Sequence, residues 1–284
     1  MPVPPWEDPR AVLARHGLRP KRRLAQNFLV SRGAVEAIAR AAAAEPGATV
    51  VELGAGLGTL TAALLRAGAR VIAVERDPEM LAVLQAELPA QSLVLRHDDA
   101  ASVDYGALAA EAGGPLVVAG NLPYAVTGAI LRNLVVHRAA LLRAVVMVQR
   151  EVRDRLAADP GTADYGALTV FTRAVFELQT VLRLGASAFH PRPRVASAVV
   201  LLQPRAVPLA QETAAFRQVV RAAFQARRKT LRNALVQAVA PELADAALAA
   251  AGIDGARRGE TLGVEEFALL AAALERAAAD RRGS

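Results

Sequence analysis

Apolar positions along this chain recur with two different spacings. Between residues 49 and 149, short runs rich in Val, Ile and Leu occur at TVVEL (49–53), RVIAVE (70–75), SLVLR (92–96), PLVVAG (115–120) and AVVMVQ (144–149). The segments between them, 60–68, 78–88, 104–112 and 125–136, space their apolar residues at three and four. The runs predict strands and the spaced segments predict helices. Their strict alternation predicts an α/β fold with a mostly parallel sheet and helices on both faces. Two helices are expected earlier, over 9–17 and 31–44; Ser31 is a candidate N-cap for the second, and Pro46-Gly47 ends it. VASAVVLL (195–202) predicts a last strand, Pro204 and Pro208 mark a linker, and 212–279 reads as helical throughout. Two domains follow from this pattern: residues 1–205, and a small helical domain at 206–284.

Composition narrows the chemistry. The 284 residues contain no cysteine, which excludes disulfides, zinc thiolate sites and thiol nucleophiles and fits a reducing cytoplasm. The opening MPVPPWEDPR has no apolar core of the kind a secretory signal needs. No apolar run approaches the roughly 18 residues of a membrane span. The net charge of +7 makes a polyanion the default partner, nucleic acid first among them. Three basic clusters offer phosphate contacts: Arg19 to Arg23 (with Arg22 and Arg23), Arg192 with Arg194, and Arg227, Arg228 and Lys229 with Arg232. Each reads equally well as a solvated helix face. Aromatic residues make up 4% of the chain, too few to recognise a long single strand by stacking. The absence of a heptad pattern predicts a monomer.

Candidate chemistry sits at the ends of the predicted strands, where ligands of such sheets bind. Glu52-Leu-Gly54-Ala-Gly56-Leu-Gly58 follows the first strand. Its glycines allow a sharp turn and close approach to a ligand, and the next helix N-terminus favours anionic groups. Glu75 closes the second strand and can accept both hydroxyls of a ribose. A dinucleotide fingerprint starting at Gly54 would need Gly at position 59, which is Thr. The pattern is ExGxGxG instead, similar to that of class I methyltransferases with their Rossmann-like fold. Asp98 and Asp99 follow the third strand, where one acid can receive an adenine amino group. The fourth strand runs into Asn121-Leu122-Pro123-Tyr124. The Asn121 side-chain oxygen, with the carbonyl of Leu122 or Pro123, can accept both hydrogens of a base amino group. Such a pair orients the nitrogen lone pair and stabilises positive charge developing there. Tyr124 can stack on the base. Phe189, in a Pro-rich loop, is a candidate second stacking face or else a core aromatic.

Taken together, these motifs resemble the ribosomal RNA adenine N6,N6-dimethyltransferases, specifically the small-subunit branch linked to kasugamycin sensitivity. The resemblance runs from about residue 19 to 270. It includes Gln26 to Leu29, Glu52 to Gly58, Glu75, Asp99-Ala100, Asn121 to Tyr124, Gln149 to Val152, Tyr165 to Leu168, Ser187 to Phe189, Ser197 to Val200 and Phe224 to Asn233. Two small departures are Ala25, where Gly is usual, and Ala55, where Pro is common. The resemblance implies that Asn27, Leu29, Gly54, Glu75, Asp99 and Asn121 line an S-adenosylmethionine site, with Gly56 in its glycine turn, and that no metal is required. It implies dimethylation of two adjacent adenines in a hairpin loop near the 3′ end of 16S rRNA, late in 30S subunit assembly, in the cytoplasm. Two other readings stay open: a large-subunit adenine dimethyltransferase, and an RNA-binding assembly factor with secondary or lost catalysis.

Overall fold

The structure is a computed structural model that describes every residue except 1, 2, 22, 23, 25, 44, 46, 89, 90 and 284. Arg22, Arg23 and Ala25 therefore lie outside the described residues. The chain divides into two compact units, Met1–Arg153 with Glu177–Pro204, and Asp154–Phe176 with Arg205–Ser284. The sequence pattern implies one crossing near 206. The structure has two more, at 153/154 and 176/177, because residues 154–176 group with the C-terminal helices.

The first unit begins with α1 (Pro9–Arg15), β1 (Phe28–Leu29) and α2 (Arg32–Ala42). Strands and helices then alternate: β2 (Thr49–Leu53), α3 (Thr59–Arg66), β3 (Arg70–Glu75), α4 (Pro78–Glu87), β4 (Leu93–His97), α5 (Tyr105–Ala112), β5 (Leu116–Asn121), α6 (Thr127–Val136) and β6 (Leu141–Gln149). α7 (Arg150–Ala157) leads out of this unit, and β7 (Phe176–Leu184), β8 (Phe189–His190) and β9 (Ser197–Pro204) return to it. Seven strands form one sheet in the order β4-β3-β2-β5-β6-β9-β7. β2 to β6 run parallel to one another, and β9 is antiparallel to β6. Val50, Val51, Val117, Val118 and Val145 are fully buried, as strands covered on both faces require.

Successive strands move outward from β2 in one direction and then, from β5, in the other. The crevice at the carboxyl ends of β2 and β5 is thus the point where ligands of such sheets bind. Gly120 permits the two strands to approach there, since a Cβ on it would lie 2.5 Å from the Leu53 carbonyl oxygen. Asp77 caps α4 by accepting from the Glu79 amide, with Pro78 at the first helical position, and Asp104 caps α5. Ser31 sits at the expected N-cap of α2 but makes no side-chain capping bond. The pattern did not indicate β1, β7 or β8. β7 alternates apolar and polar residues at period two along the sheet edge, while β1 and β8 are two-residue strands paired only with each other.

The second unit holds α8 (Ala167–Val175), α9 (Ala214–Gln225), α10 (Leu231–Leu235), α11 (Pro241–Ala251) and α12 (Val264–Gly283). The helical stretch expected from 212 to 279 is broken at 226–230, 236–240 and 252–263. An aromatic cluster draws residues 154–176 onto these helices. Tyr165 meets Phe224 edge-on, Phe171 meets Phe216, and Phe224 meets Phe267, with ring centroids 5.8 to 5.9 Å apart. The buried Tyr165 hydroxyl donates to the Leu262 carbonyl at 2.8 Å. Tyr165→Phe would leave that carbonyl without its donor in a dry site. It is expected to destabilise the protein by about 1–2 kcal/mol, and Tyr165→Ala by about 3–5 kcal/mol, measured by urea denaturation followed by circular dichroism.

Candidate active site

A cavity of about 220 Å³ opens at the carboxyl ends of β2, β3 and β5. Its floor is the glycine turn after β2, where Gly54, Gly56 and Gly58 all have positive φ. A side chain at Gly58 would strike Leu84 of α4 and Leu88 just beyond it, at 2.8 and 2.7 Å. Glu75, at the end of β3, is held by three backbone donors. Its Oε2 accepts from Gly56, and its Oε1 from Arg76 and Asp77, all at 2.8 Å. These donors fix the carboxylate at the cavity wall and leave one lone pair, on Oε2, for a hydroxyl donor. Asp98 and Asp99 both line the cavity. Asp99 is the more buried of the two; its Oδ1 accepts from the Ala101 amide at 2.9 Å and its Oδ2 lies 3.4 Å from Arg76 Nη1.

The N-terminal segment closes one side of the cavity, contributing Leu24 and Gln26 to Leu29. Asp77 anchors it from below. Lys21 Nζ and Gln26 Nε2 each donate to the Asp77 carboxylate at 2.8 Å, and Lys21 also pairs with Glu79. Burial works against ionisation of Asp77, but Lys21, the Glu79 amide and Gln26 together hold its carboxyl below the usual range. At the other end of the segment, Phe28 and Leu29 pair with His190 and Phe189.

Asn121 ends β5, and its Nδ2 donates to the Asn27 carbonyl at 2.8 Å. That bond commits the amide nitrogen and leaves the Asn121 oxygen as an acceptor. The two candidate carbonyls differ in what they already accept. The Pro123 oxygen already accepts from the Val126 amide at 3.1 Å and the Thr127 hydroxyl at 3.0 Å, so both its lone pairs are used. Among the described residues, the Leu122 carbonyl accepts no such bond. Tyr124 lines the cavity, and its hydroxyl lies 3.1 Å from Ser197 Oγ.

Of the residues expected from the sequence, Asn27, Leu29, Gly54, Gly56, Glu75, Asp99 and Asn121 to Tyr124 all line this one cavity. Phe189 does not. It is 2% exposed and packs in the core with Leu29 and Val35, because the β1–β8 pairing turns it inward. It is a core aromatic here, not a stacking face. Arg227 and Arg232 are also committed. Arg227 pairs with Glu260 at 3.0 Å and donates to the Ala163 carbonyl, and Arg232 grips Asp245 with two bonds of 2.6 and 2.7 Å. Both are held by partners within the helical unit, although Arg232 is exposed, as are Arg194, Arg228 and Lys229. Nothing in the linear sequence marks the roles of Gln26, Thr127 or Ser197; the Asp-Pro pair at 77–78 signals a helix cap but not the anchor it also makes. Among the described residues no group of three or more His, Asp or Glu side chains is placed to hold a metal, and no helix is long and apolar enough to cross a membrane.

The glycine turn, the acid closing β3 and the strand order define the class I methyltransferase fold. The sequence pattern of the ribosomal RNA adenine dimethylase family matches residues 17–276, and the chain belongs to that family. A ribosomal RNA small subunit methyltransferase A from Anaeromyxobacter dehalogenans is 47% identical over 95% of this chain and 98% of its own length. One from Myxococcus xanthus is 48% identical, over 94% and 95%. Among solved structures, a dimethyladenosine transferase from Plasmodium falciparum shares the fold, with a TM-score of 0.74, 24% identity, and coverage of 88% of this chain and 98% of that one. The 23S rRNA methyltransferase ErmE is 27% identical with a TM-score of 0.63, over 87% and 99%. The family uses S-adenosylmethionine, and the cavity fits it. The buried Glu52, which lines the cavity, has an Oε2 with no hydrogen-bond partner, an acceptor open to an ammonium donor.

Glu52 also sets a pH dependence. Burial pushes its carboxyl up to about 8, against the pull of Thr61 and helped by the charge of Glu75. Its folded-state value therefore exceeds the unfolded value of about 4.3. The unfolded chain releases this proton at lower pH, so stability falls as pH rises from about 4 and levels off above about 8. Glu52→Gln, which mimics the protonated form, should match the wild type near pH 4.5. At pH 8 it should be more stable by on the order of 2–4 kcal/mol, read from thermal denaturation across pH.

Proposed function

We propose that this protein transfers methyl groups from S-adenosylmethionine to N6 of two adjacent adenines in a hairpin loop near the 3′ end of 16S rRNA, releasing S-adenosylhomocysteine. In this reading it acts as a monomer on 30S subunit precursors, late in assembly and in the cytoplasm. The observation that carries the chemistry is the acceptor pair at the cavity edge. The Asn121 oxygen is freed by the bond to Asn27, and the Leu122 carbonyl is left open while that of Pro123 is doubly occupied. The target comes from the family and from its small-subunit relatives.

The cofactor, when bound, supplies an electrophilic methyl group. Glu75 would accept from its ribose at Oε2, Asp99 from its adenine amino group and Glu52 from its amino-acid ammonium. The chain's own work is orientation. Two acceptors on the adenine amino group turn the nitrogen lone pair out of the ring's conjugation and stabilise the charge that grows on it. Tyr124 holds the extruded base by stacking, as enzymes acting on bases require. The methylated nitrogen loses its proton readily once the ring regains conjugation, so no strong base is needed. Arg194, Arg228 and Lys229 are the exposed cations proposed to contact phosphate.

Asn121→Ala is expected to lower methyl transfer to undermethylated 30S subunits by at least about 100-fold, the scale for losing one preorganised partner, while still binding those subunits. Transfer at the wild-type rate would refute the acceptor-pair mechanism. Labelling of naked 23S rRNA in preference to 30S by the wild type would move the target to the large subunit. No labelling of any substrate, with cofactor bound, would favour an assembly factor.

A further inference from the structure

We propose that Ser197 is a positioning residue for methyl transfer, acting through Tyr124 to set the plane on which the target base stacks. This rests on the reading of Tyr124 as the base-stacking residue. Tyr124 opens a short 3-10 turn directly after Pro123, with its ring at the cavity wall. A tyrosine there can swing about two side-chain torsions. A ring that leaves the cavity cannot stack, and one that leans into it blocks the base. The ring is therefore useful only if something holds its far end.

Ser197 is placed to do so. It is the first residue of β9 and lies opposite Gln149, the last residue of β6. β6 in turn runs beside β5, with Met147 opposite Asn121. The Tyr124–Ser197 contact of 3.1 Å thus ties the turn after β5 to a rigid strand two positions along the sheet. Ser197 is 2% exposed, so its hydroxyl has little access to water. A buried hydroxyl costs stability unless it is paired, and Tyr124 supplies the partner. With its tip tethered and its backbone fixed by the turn, the ring keeps one orientation before substrate arrives, which is the preorganisation that orientation-based catalysis demands.

The test is a double-mutant cycle of Ser197→Ala and Tyr124→Phe, assayed on undermethylated 30S subunits at saturating S-adenosylmethionine. Both single variants should lose kcat by roughly 10- to 100-fold, the cost of a loosened reactive geometry. KM should stay close to wild type, and the double variant should be no worse than either single one. Effects that add, or a Ser197→Ala enzyme with wild-type kcat, would overturn the proposal, because a purely structural serine would not share its effect with the tyrosine hydroxyl. NMR of ring-labelled tyrosine checks the geometry without the reaction, since the chain has three tyrosines. Ser197→Ala should move the Tyr124 signal alone; an unmoved Tyr124 signal would also overturn the proposal. Absence of methyl transfer by the wild type would defeat the function proposed above, and the NMR result would then decide the tether by itself.

Discussion

β2 and β5 can lie together at their carboxyl ends only because Gly120 has no side chain. A single Cβ there would sit 2.5 Å from the Leu53 carbonyl, and neither strand could yield without losing ladder bonds in a sheet buried on both faces. That contact fixes where β5 ends and so where Asn121 emerges. It also fixes the distance between the glycine turn after β2 and the Asn-Leu-Pro-Tyr turn after β5. The first turn forms the floor of the cavity and the second lines its edge, so the shape of the cavity depends on the same missing methyl group.

Around this junction the chain assigns most of its polar groups before any ligand arrives. Glu75 is saturated by backbone donors on one side, Pro123 has both carbonyl lone pairs filled, and Asn121 has its nitrogen tied to Asn27. What remains is a small set of groups with free valence: Asn121 oxygen, Leu122 carbonyl and the buried Glu52. Fixed dipoles of this kind do not need to reorganise as charge develops. The Lys21–Asp77–Gln26 anchor belongs to the same design, because it holds in place the segment whose Asn27 carbonyl orients Asn121.

The basic residues illustrate how poorly linear charge predicts use. FQARRKTLRN (224–233) reads as a phosphate-binding stretch, yet Phe224 packs in an aromatic cluster and Arg227 and Arg232 are held by Glu260 and Asp245. Arg228 and Lys229 are exposed, whereas Arg227 and Arg232, although their side chains also reach solvent, are held in these ion pairs. Their partners lie 33 and 13 residues further along the chain, beyond any local pattern.

By itself the sequence determined what local geometry dictates. Strand and helix periods identified the alternating core, glycines identified a turn that needs positive φ, and strand ends placed Glu75, Asp99 and Asn121 to Tyr124 on one edge. These features depend on a few adjacent residues, so they survive in one dimension. The tertiary structure alone decided that Asn121 is tied to Asn27, that Phe189 is buried, that residues 154–176 join the C-terminal helices, and that Ser197 meets Tyr124. Each of those outcomes is a pairing between groups remote in sequence, 94 residues apart for Asn121 with Asn27 and 73 for Tyr124 with Ser197. No spacing rule reaches that far, because such pairs are selected only when the packed sheet brings their elements together.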